Sequence, residues 1–433
     1  MRSFRFIHAA DLHLDSPFKG LSALPSAIRE RIRESTFRAL RHLVELAVTE
    51  RADFVLIAGD VYDSADRSLK AQLRFQSAVG LLAERGIPVY VIHGNHDPDD
   101  GNGASLRWPD TVRFFSSGEQ ADAFVVRDRS GADLACVHGW SYPTSAVTDN
   151  PLARFGAPKP GLFNIGLLHA NVDGDAGHDN YAPCSVKELQ RTGFDYWALG
   201  HIHTRAVLSE NPAIVYPGNI QGRSVRETGP RGCCIVDVSE SGSTAISFRP
   251  LDAVRWHTAA VSIEGLSTEQ ELRDRLEEEL RLCEERSGGR PAIVRFRLNG
   301  RGPLHKTLRK PGPLLELTEE FRELERRRAE SSEPDSPFVW IESVDVATAS
   351  ELDPKEAANR NGFIGDMLQL SAGLAGDGDS LRSLIEEALQ PLLAHPKAGP
   401  LAEAMAADER EEWLKAAESL ALGLVAEEEG WDE

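Results

Sequence analysis

An α/β fold is predicted for this chain of 433 residues, and three observations predict it. Five short apolar runs, Phe4 to Ala9, Phe54 to Ala58, Val89 to Ile92, Ile165 to Leu168 and Tyr196 to Leu199, are bounded by polar turns and read as buried strands. Between them, Ser26 to Arg51 and Ser68 to Arg85 carry apolar residues at helical spacing, Ile28, Ile32, Phe37, Leu40, Leu43, Leu46 and Ala47 in the first. Each strand-like run leads at once into a polar cluster: Asp11-Leu12-His13, Gly59-Asp60, Gly94-Asn95-His96-Asp97, His169 and Gly200-His201-Ile202-His203. Polar side chains emerging where the buried strands of an α/β sheet end mark the usual place of a ligand or metal site.

The residue types narrow the chemistry. Asp and Asn oxygens mixed with imidazole nitrogens, with no cysteine among them, suit manganese, iron or zinc and not a thiolate structural zinc site. Asp11, His13, Asp60, Asn95, His169, His201 and His203 are too many ligands for one ion. They suit two divalent ions that share a carboxylate about 3.5–4 Å apart, the arrangement used for phosphoester cleavage. On an extended segment the i, i+2 spacing of Asp11 and His13, repeated in His201 and His203, turns each pair to one face. Any one cluster alone reads as an ordinary turn; five in this order do not.

The set D-x-H, G-D-x-x-D, G-N-H-D, an isolated His and G-H-x-H resembles the calcineurin-like metallophosphoesterase superfamily. Within it, Ile7 to Asp15 and Gly59-Asp60-Val61-Tyr62-Asp63 are similar to the opening motifs of SbcD-type DNA repair exonucleases. Tyr216-Pro217-Gly218-Asn219, followed by Arg226-Glu227 and Gly232, looks most like the bacterial YhaO branch of that group. The resemblance covers residues 1 to about 250. Its metal motifs are more specific for the superfamily than for DNA as substrate. It implies a four-layer αββα sandwich, two mixed sheets face to face with helices outside. It also implies that Asp11, His13, Asp60 and His203 hold one ion and that Asp60, Asn95, His169 and His201 hold the other, both manganese by preference. His96 would not bind metal but would face the scissile phosphate and protonate or stabilise the leaving oxygen. Asp97 would orient His96, since a carboxylate partner keeps an imidazole in one tautomer. Asp15 and Asp63 are expected to brace the metal loops. His93 is expected to point away, His138 to be a core or neighbouring histidine, and His178, in a Gly/Asp-rich loop, to be solvated.

The length calls for two or three domains. Residues 1–252 form the expected phosphoesterase domain, 253–347 a small α+β module and 348–433 a helical region. The module reads as strand (Trp256 to Ile263), helix (Thr268 to Arg286), strand (Ala292 to Leu298), helix (Pro313 to Arg328) and strand (Phe338 to Val344). It is similar to the capping domain of SbcD-type nucleases, which in that family helps to hold DNA. Arg301, His305, Lys306, Arg309 and Lys310 form a basic stretch there, read as either a phosphate-contacting strip or a solvated hairpin. Amphipathic helices are expected over Asn361 to Leu370, Ser380 to Leu393 and Glu409 to Val425. In the resembling family, helices after the cap dock onto the coiled coil of an SbcC- or YhaN-like ATPase; packing on each other or on the cap is the alternative.

A net charge of −20 opposes tight DNA binding, because phosphate contacts need Lys and Arg. The charge is uneven. Residues 1–250 hold 26 Lys and Arg against 29 Asp and Glu, a net of −3, and the remainder hold 22 against 39, a net of −17. Several acids of the first part belong to the metal clusters, where two dications would offset them. No apolar run approaches the roughly 18 residues that span a bilayer, and five cysteines without metal spacing argue against a disulfide framework. A cytoplasmic protein without membrane association is expected.

The expectation is therefore a two-metal DNA nuclease subunit working with an ATPase partner, with dimerisation through phosphoesterase-domain helices implied by the resemblance. The rivals are a phosphomonoesterase or small-molecule phosphodiesterase of the same fold, and a non-catalytic scaffold that retains it.

Overall fold

The computed structural model describes the chain except for residues 19–20, 22–23, 64–67, 102, 129, 176, 332–335, 352–356, 359–361, 396–397, 401, 404–409 and 429–433. The described residues form two compact units: Met1–Thr258 with Leu282–Val294 and Glu323–Glu342, and Ala259–Arg281 with Arg295–Arg322 and Ser343–Glu433.

The first unit begins with β1 (Phe4–Ala9), α1 (Ser26–Arg33), α2 (Ser35–Thr49), β2 (Phe54–Ala58), α3 (Leu69–Glu84), β3 (Val89–Ile92) and β4 (Val112–Phe114). It continues with β5 (Asp122–Arg127), β6 (Asp133–Gly139), β7 (Phe163–His169), α4 (Val186–Arg191), β8 (Tyr196–Gly200), β9 (Ala206–Glu210), β10 (Ala213–Tyr216), β11 (Gly232–Val238) and β12 (Thr244–Pro250). One six-stranded sheet runs β12-β11-β1-β2-β3-β4, and a second runs β5-β6-β7-β8-β10-β9. The central pairs β1–β2, β2–β3, β6–β7 and β7–β8 are parallel, while the outer β11–β12 and β9–β10 pairs are antiparallel.

Strand alternation explains why the central runs are apolar at every position: both faces of each sheet are covered. Phe4, Phe6, Phe54, Leu56 and Tyr90 face Ile165, Leu167, Tyr196 and Ala198 between the sheets. Phe6 stacks on Phe54 at 5.1 Å and meets Tyr196 edge-on at 5.2 Å. The intervening residues Ile7, Val55, Ile57, Val89 and Val91 turn outward against α2 and α3. On the far side Leu168, Trp197 and Leu199 pack under α4 and its neighbouring loops. This is the expected four-layer arrangement of a metallophosphoesterase, with a thin fourth layer of one short helix and loops.

The helical stretch expected over Ser26 to Arg51 forms as two helices. Ser35 Oγ donates to the Ile32 carbonyl at 2.7 Å, a local bond that competes with helix continuation. The break lets Ile28 and Ile32 join a satellite core with Val254, Trp256, Ile293, Phe338 and Trp340, while Phe37, Leu40 and Leu43 stay on the first sheet.

The smaller sheet orders β13 (Arg255–Ser262), β14 (Ala292–Asn299) and β15 (Val339–Val346), with α5 (Glu269–Ser287), α6 (His305–Leu308) and α7 (Pro311–Ser331) between the strands. Its strands, α5 and α7 divide between the two units. The basic stretch is not a hairpin: Leu304 and Leu308 are buried, and His305–Leu308 forms a helical turn. In the second unit follow α8 (Phe363–Gly376), α9 (Gly378–Leu393) and α10 (Arg410–Glu428). Ile364, Leu368 and Leu422 bury together, and Ser371 Oγ donates to Glu418 at 2.6 Å, so these helices pack on each other. Asn361 and Glu409, the expected starts of two of them, lie outside the described residues. Among the described residues no helix is long and apolar enough to cross a membrane, and the five cysteines are buried with no disulfide between them.

One polar group sits between the sheets. His8 is fully buried, its Nδ1 3.0 Å from Tyr196 Oη and its Nε2 3.1 Å from the Leu199 carbonyl. Burial pushes its pKa down to about 3, against the bond to Leu199, which favours the charged form. The unfolded chain therefore binds a proton at this site below about pH 6.5 that the folded chain refuses down to about 3. The stabilisation is complete above that upper limit and is lost as pH falls through the window, by up to about 1.4 kcal/mol per pH unit. Urea unfolding between pH 7 and 4 should show a shallower acid slope in His8→Gln than in the natural chain; equal slopes would exclude this role.

Candidate metal centre

The expected clusters meet at one rim, where β1, β2, β3, β7 and β8 end. Their approach is not the extended one that residue spacing suggests. Asp11, His13, Asp60 and His201 all have left-handed backbones, with φ of 51°, 42°, 50° and 98°. Asp11 N donates to the Gly59 carbonyl at 3.1 Å and His13 N to the Asp60 carbonyl at 3.0 Å, so the first two motif loops hold each other in these conformations. His201 and His203 do not share one face: His201 Nδ1 lies 3.3 Å from Asn95 Oδ1, whereas His203 Nε2 lies 3.1 Å from His13 Nε2.

Ligand atoms of Asp11, His13 and His203, of His13, Asp60 and His96, and of Asp11, Asp60 and His169 each gather within 4.8 Å. Asp60 Oδ2 is central, 3.7 Å from His13 Nε2 and 3.4 Å from His169 Nε2. Asn95 Oδ1 lies 3.0 Å from His169 Nε2. Asp11, His13, Asp60, His169 and His201 are buried; Asn95, His96 and His203 are half-buried and leave the rim open on that side.

The imidazoles pass a chemical test for a cation site. One nitrogen of each faces an oxygen away from the centre: His13 Nδ1 lies 3.1 Å from Asp63 Oδ1, and His203 Nδ1 lies 2.8 Å from Glu227 Oε1. His169 Nδ1 bonds the Ala58 carbonyl at 2.9 Å and His201 Nε2 the Asp179 carbonyl at 2.8 Å. The other nitrogen of each ring is turned inward, as metal-ligating histidines require. Burial, and then the Arg223 charge, push His13 down to about 3; burial, and then His169, do the same to His201. Burial opposes charge on His169 too, but Asp60 and Asp11 outweigh it and raise that ring to about 9. Burial opposes the charge on Asp60, but His169 and His13 outweigh it and hold its carboxyl well below the usual range, so Asp60 favours positive charge at the centre, whereas burial raises Asp11.

Asp97 has a different task from the expected one. Its Oδ1 accepts from Gly94 N at 2.8 Å and its Oδ2 from Val61 N at 2.9 Å, so it ties the second and third motif loops together. The ring of His96 is held instead by the carbonyl of Asp63, 2.6 Å from Nδ1. His93 stacks on Phe114. His138 bonds Asn164 at 3.2 Å and packs on Phe194, away from the rim. Asp15 accepts from Ser68 Oγ at 2.7 Å.

The sequence reading missed three contributors. His178 is not simply solvated: its ring lies 5.2 Å from that of His203 and 5.6 Å from that of His201, in a loop that Asn171 pins through backbone groups of Asp175, His178 and Asp179. Glu227 and Arg223 flank His203. Burial opposes ionisation of Glu227, yet His203 and Arg223 hold its carboxyl well below the usual range. Glu227 stood in a quoted motif; Arg223 had no local signal at all.

Residues 4–205 match the calcineurin-like phosphoesterase family, and residues 256–349 match the middle domain of the metallophosphoesterase YhaO. The chain is 40% identical to the uncharacterized metallophosphoesterase YhaO of Bacillus subtilis (strain 168), over 90% of each protein. The chain belongs to the calcineurin-like metallophosphoesterases. More distantly, this metallophosphoesterase is 30% identical to the DNA double-strand break repair protein Mre11 of Aeropyrum pernix, over 54% of this chain and 58% of that protein. Its identity to Mre11 of Thermoplasma acidophilum is 26%, over 58% of this chain and 66% of that protein. The family uses divalent metals, in keeping with the donor set at the rim.

The reassignment of Asp97 can be tested by stability. In Asp97→Asn an amide NH2 replaces one acceptor and confronts a backbone N–H. Urea unfolding should show a loss of about 1–3 kcal/mol, whereas a residue that merely aimed the His96 ring would leave stability unchanged.

Proposed function

We propose that this metallophosphoesterase is the nuclease subunit of a DNA-processing assembly and hydrolyses DNA phosphodiesters with two manganese ions. The observation that carries the reading is the approach of the His13 and His169 inner nitrogens to Asp60, 3.7 and 3.4 Å away, beside an open His96. The partial similarity to the two Mre11 proteins supports DNA over a small ester as substrate.

In this reading Asp11, His13, Asp60 and His203 hold one ion, and Asp60, Asn95, His169 and His201 hold the other. Bound there, the ions supply Lewis-acid activation of water and of the phosphoryl oxygens. The chain contributes the rest. His96 donates from Nδ1 to the Asp63 carbonyl, which leaves Nε2 able to carry a second proton. As water attacks phosphorus in line and the P–O ester bond breaks, the leaving oxygen takes that proton. The half-buried edge formed by Asn95, His96, His178 and His203 admits the strand.

An ATPase partner of the SbcC or YhaN kind fits the second unit, where Phe363, Leu370, Leu384, Leu392, Leu420 and Leu424 stand exposed on α8, α9 and α10. Exposed Leu69, Leu73 and Leu81 on α3 support self-association of the phosphoesterase domain. The cytoplasm, where DNA and ATP are at hand in bacteria, is the compartment this reading requires.

The test is cleavage of linear double-stranded and hairpin DNA by the purified chain with added manganese, beside a generic phosphodiester and a phosphomonoester. His96→Asn should lower DNA turnover by roughly 100- to 10,000-fold with metal content unchanged. Full activity in that variant would remove His96 from the chemistry. Turnover of the small esters with DNA left intact, both alone and with the ATPase added, would replace the nuclease reading by a small-molecule phosphoesterase.

A further inference from the structure

The two halves of the centre are supported differently. On one side the outward nitrogens of His169 and His201 rest on backbone carbonyls, those of Ala58 and Asp179. On the other, His203 rests on the carboxylate of Glu227, and His13 lies against that of Asp63, 3.1 Å away. Side chains, unlike carbonyls fixed in the backbone, need something to hold them.

Arg223 does so for both. Its Nη1 donates to Asp63 Oδ1 at 2.6 Å and lies 3.4 Å from Ser16 Oγ. Its Nη2 donates to Glu227 Oε1 at 3.3 Å, and its backbone N–H donates to Glu227 Oε2 at 2.7 Å. Asp63 in turn supports two rings, His13 through its carboxylate and His96 through its carbonyl. One guanidinium therefore stands behind three imidazoles that arrive from three separate strand ends. Its side chain is only 15% exposed, so the ion pairs are shielded from water and geometrically firm. The segment carrying it is anchored as well: Trp256 Nε1 donates to the Gly222 carbonyl at 3.0 Å, and Gln221 Nε2 to the Val254 carbonyl at 2.7 Å.

We infer that Arg223 is a positioning residue for one ion of the pair: through Asp63 and Glu227 it fixes His13, His96 and His203, and leaves the His169–His201 half untouched. The inference rests on the two-ion reading above. Carboxylates behind metal-bound histidines typically change affinity by about 10–100-fold when removed, and Arg223 holds two of them at once.

The experiment is manganese titration of the full chain, stripped with chelator, followed by calorimetry and by electron paramagnetic resonance, which distinguishes a coupled ion pair from a single ion. The natural chain should take up two ions and show the coupled signal. Arg223→Met should keep one tight site, weaken the other by about 10–100-fold and show the single-ion signal at limiting metal. Glu227→Gln, which weakens the support of His203 and the Arg223–Glu227 tie while leaving the Arg223–Asp63 pair, should weaken the same site. Arg223→Lys, which restores the charge without the fork, should recover part of the loss. Arg223→Met binding both ions as the natural chain does, or losing both alike, would overturn the inference. A natural chain that never binds a second ion would instead overturn the two-ion centre itself.

Discussion

Residue 200 can have no side chain, and the geometry of the rim follows from that. A Cβ placed there would lie 1.8 Å from the carbonyl oxygen of Ala58. Gly200 closes β8 in one sheet and Ala58 closes β2 in the other, so this is where the sheets come together. The same carbonyl takes the Nδ1 bond of His169 at 2.9 Å. His201 N, next in chain, donates across the gap to Asp11 Oδ1 at 3.0 Å. With the strand ends this close, side chains from both sheets can share one small space. A methyl group at residue 200 would move Ala58 or part the sheets, and His169 would lose its support.

Such proximity is costly in two ways. Asp11, His13 and Asp60 adopt left-handed backbones, a conformation that costs of the order of 1–3 kcal/mol per non-glycine residue when imposed. Carboxylates and imidazoles are also removed from water, which disfavours charge unless partners are supplied. The aromatic-rich core between the sheets, with Phe6, Phe54 and Tyr196 almost wholly buried, offsets these costs at about 1.5–3 kcal/mol for a large apolar side chain. Hydrogen bonds between the motif loops then fix each strained residue in place. A stable double-sheet scaffold and a strained rim are two parts of one arrangement.

Much of this was legible in the sequence because it depends on local pattern. The five buried strands announced themselves as apolar runs, and the polar clusters after them lie where the structure brings them together. Edge strands were harder to see: β4 has three residues, and β9 is mostly exposed, so neither carries the apolar signature of a buried strand. The break at Glu34 between the two helices of Ser26 to Arg51 carries no sequence sign, since no proline or glycine marks it. The support of the rings was illegible for another reason. Asp63 meets His13 and His96, Glu227 meets His203, and Arg223 reaches Asp63 across 160 positions of sequence, and contacts of that kind leave no periodicity. Asp97 misled through adjacency: next to His96 in sequence, its carboxylate turns to the backbone of Val61 and Gly94. His178 was discounted for the polarity of its loop, yet Asn171 folds that loop over the histidines.

Charge decides how a polyanion can approach such a rim. Asp11, Asp60, Asp63 and Glu227 surround the histidines, and the Arg223 guanidinium beside them is engaged with two of these acids. A phosphodiester gains little from a cation already paired twice, because the field of an ion pair falls off faster than that of a free charge. On the nuclease reading, attraction for the scissile phosphate would then come chiefly from the bound ions. Over longer distances a net charge of −20 repels nucleic acid, by an amount that salt screens beyond about 10 Å. On that reading, added salt should weaken DNA binding to the isolated chain less than it does for a basic nuclease, since a net charge of −20 leaves fewer Lys and Arg to displace counterions. A partner that supplies Lys and Arg would restore the steep dependence. The salt slope of DNA binding, with and without a partner, thus reports where the positive charge resides.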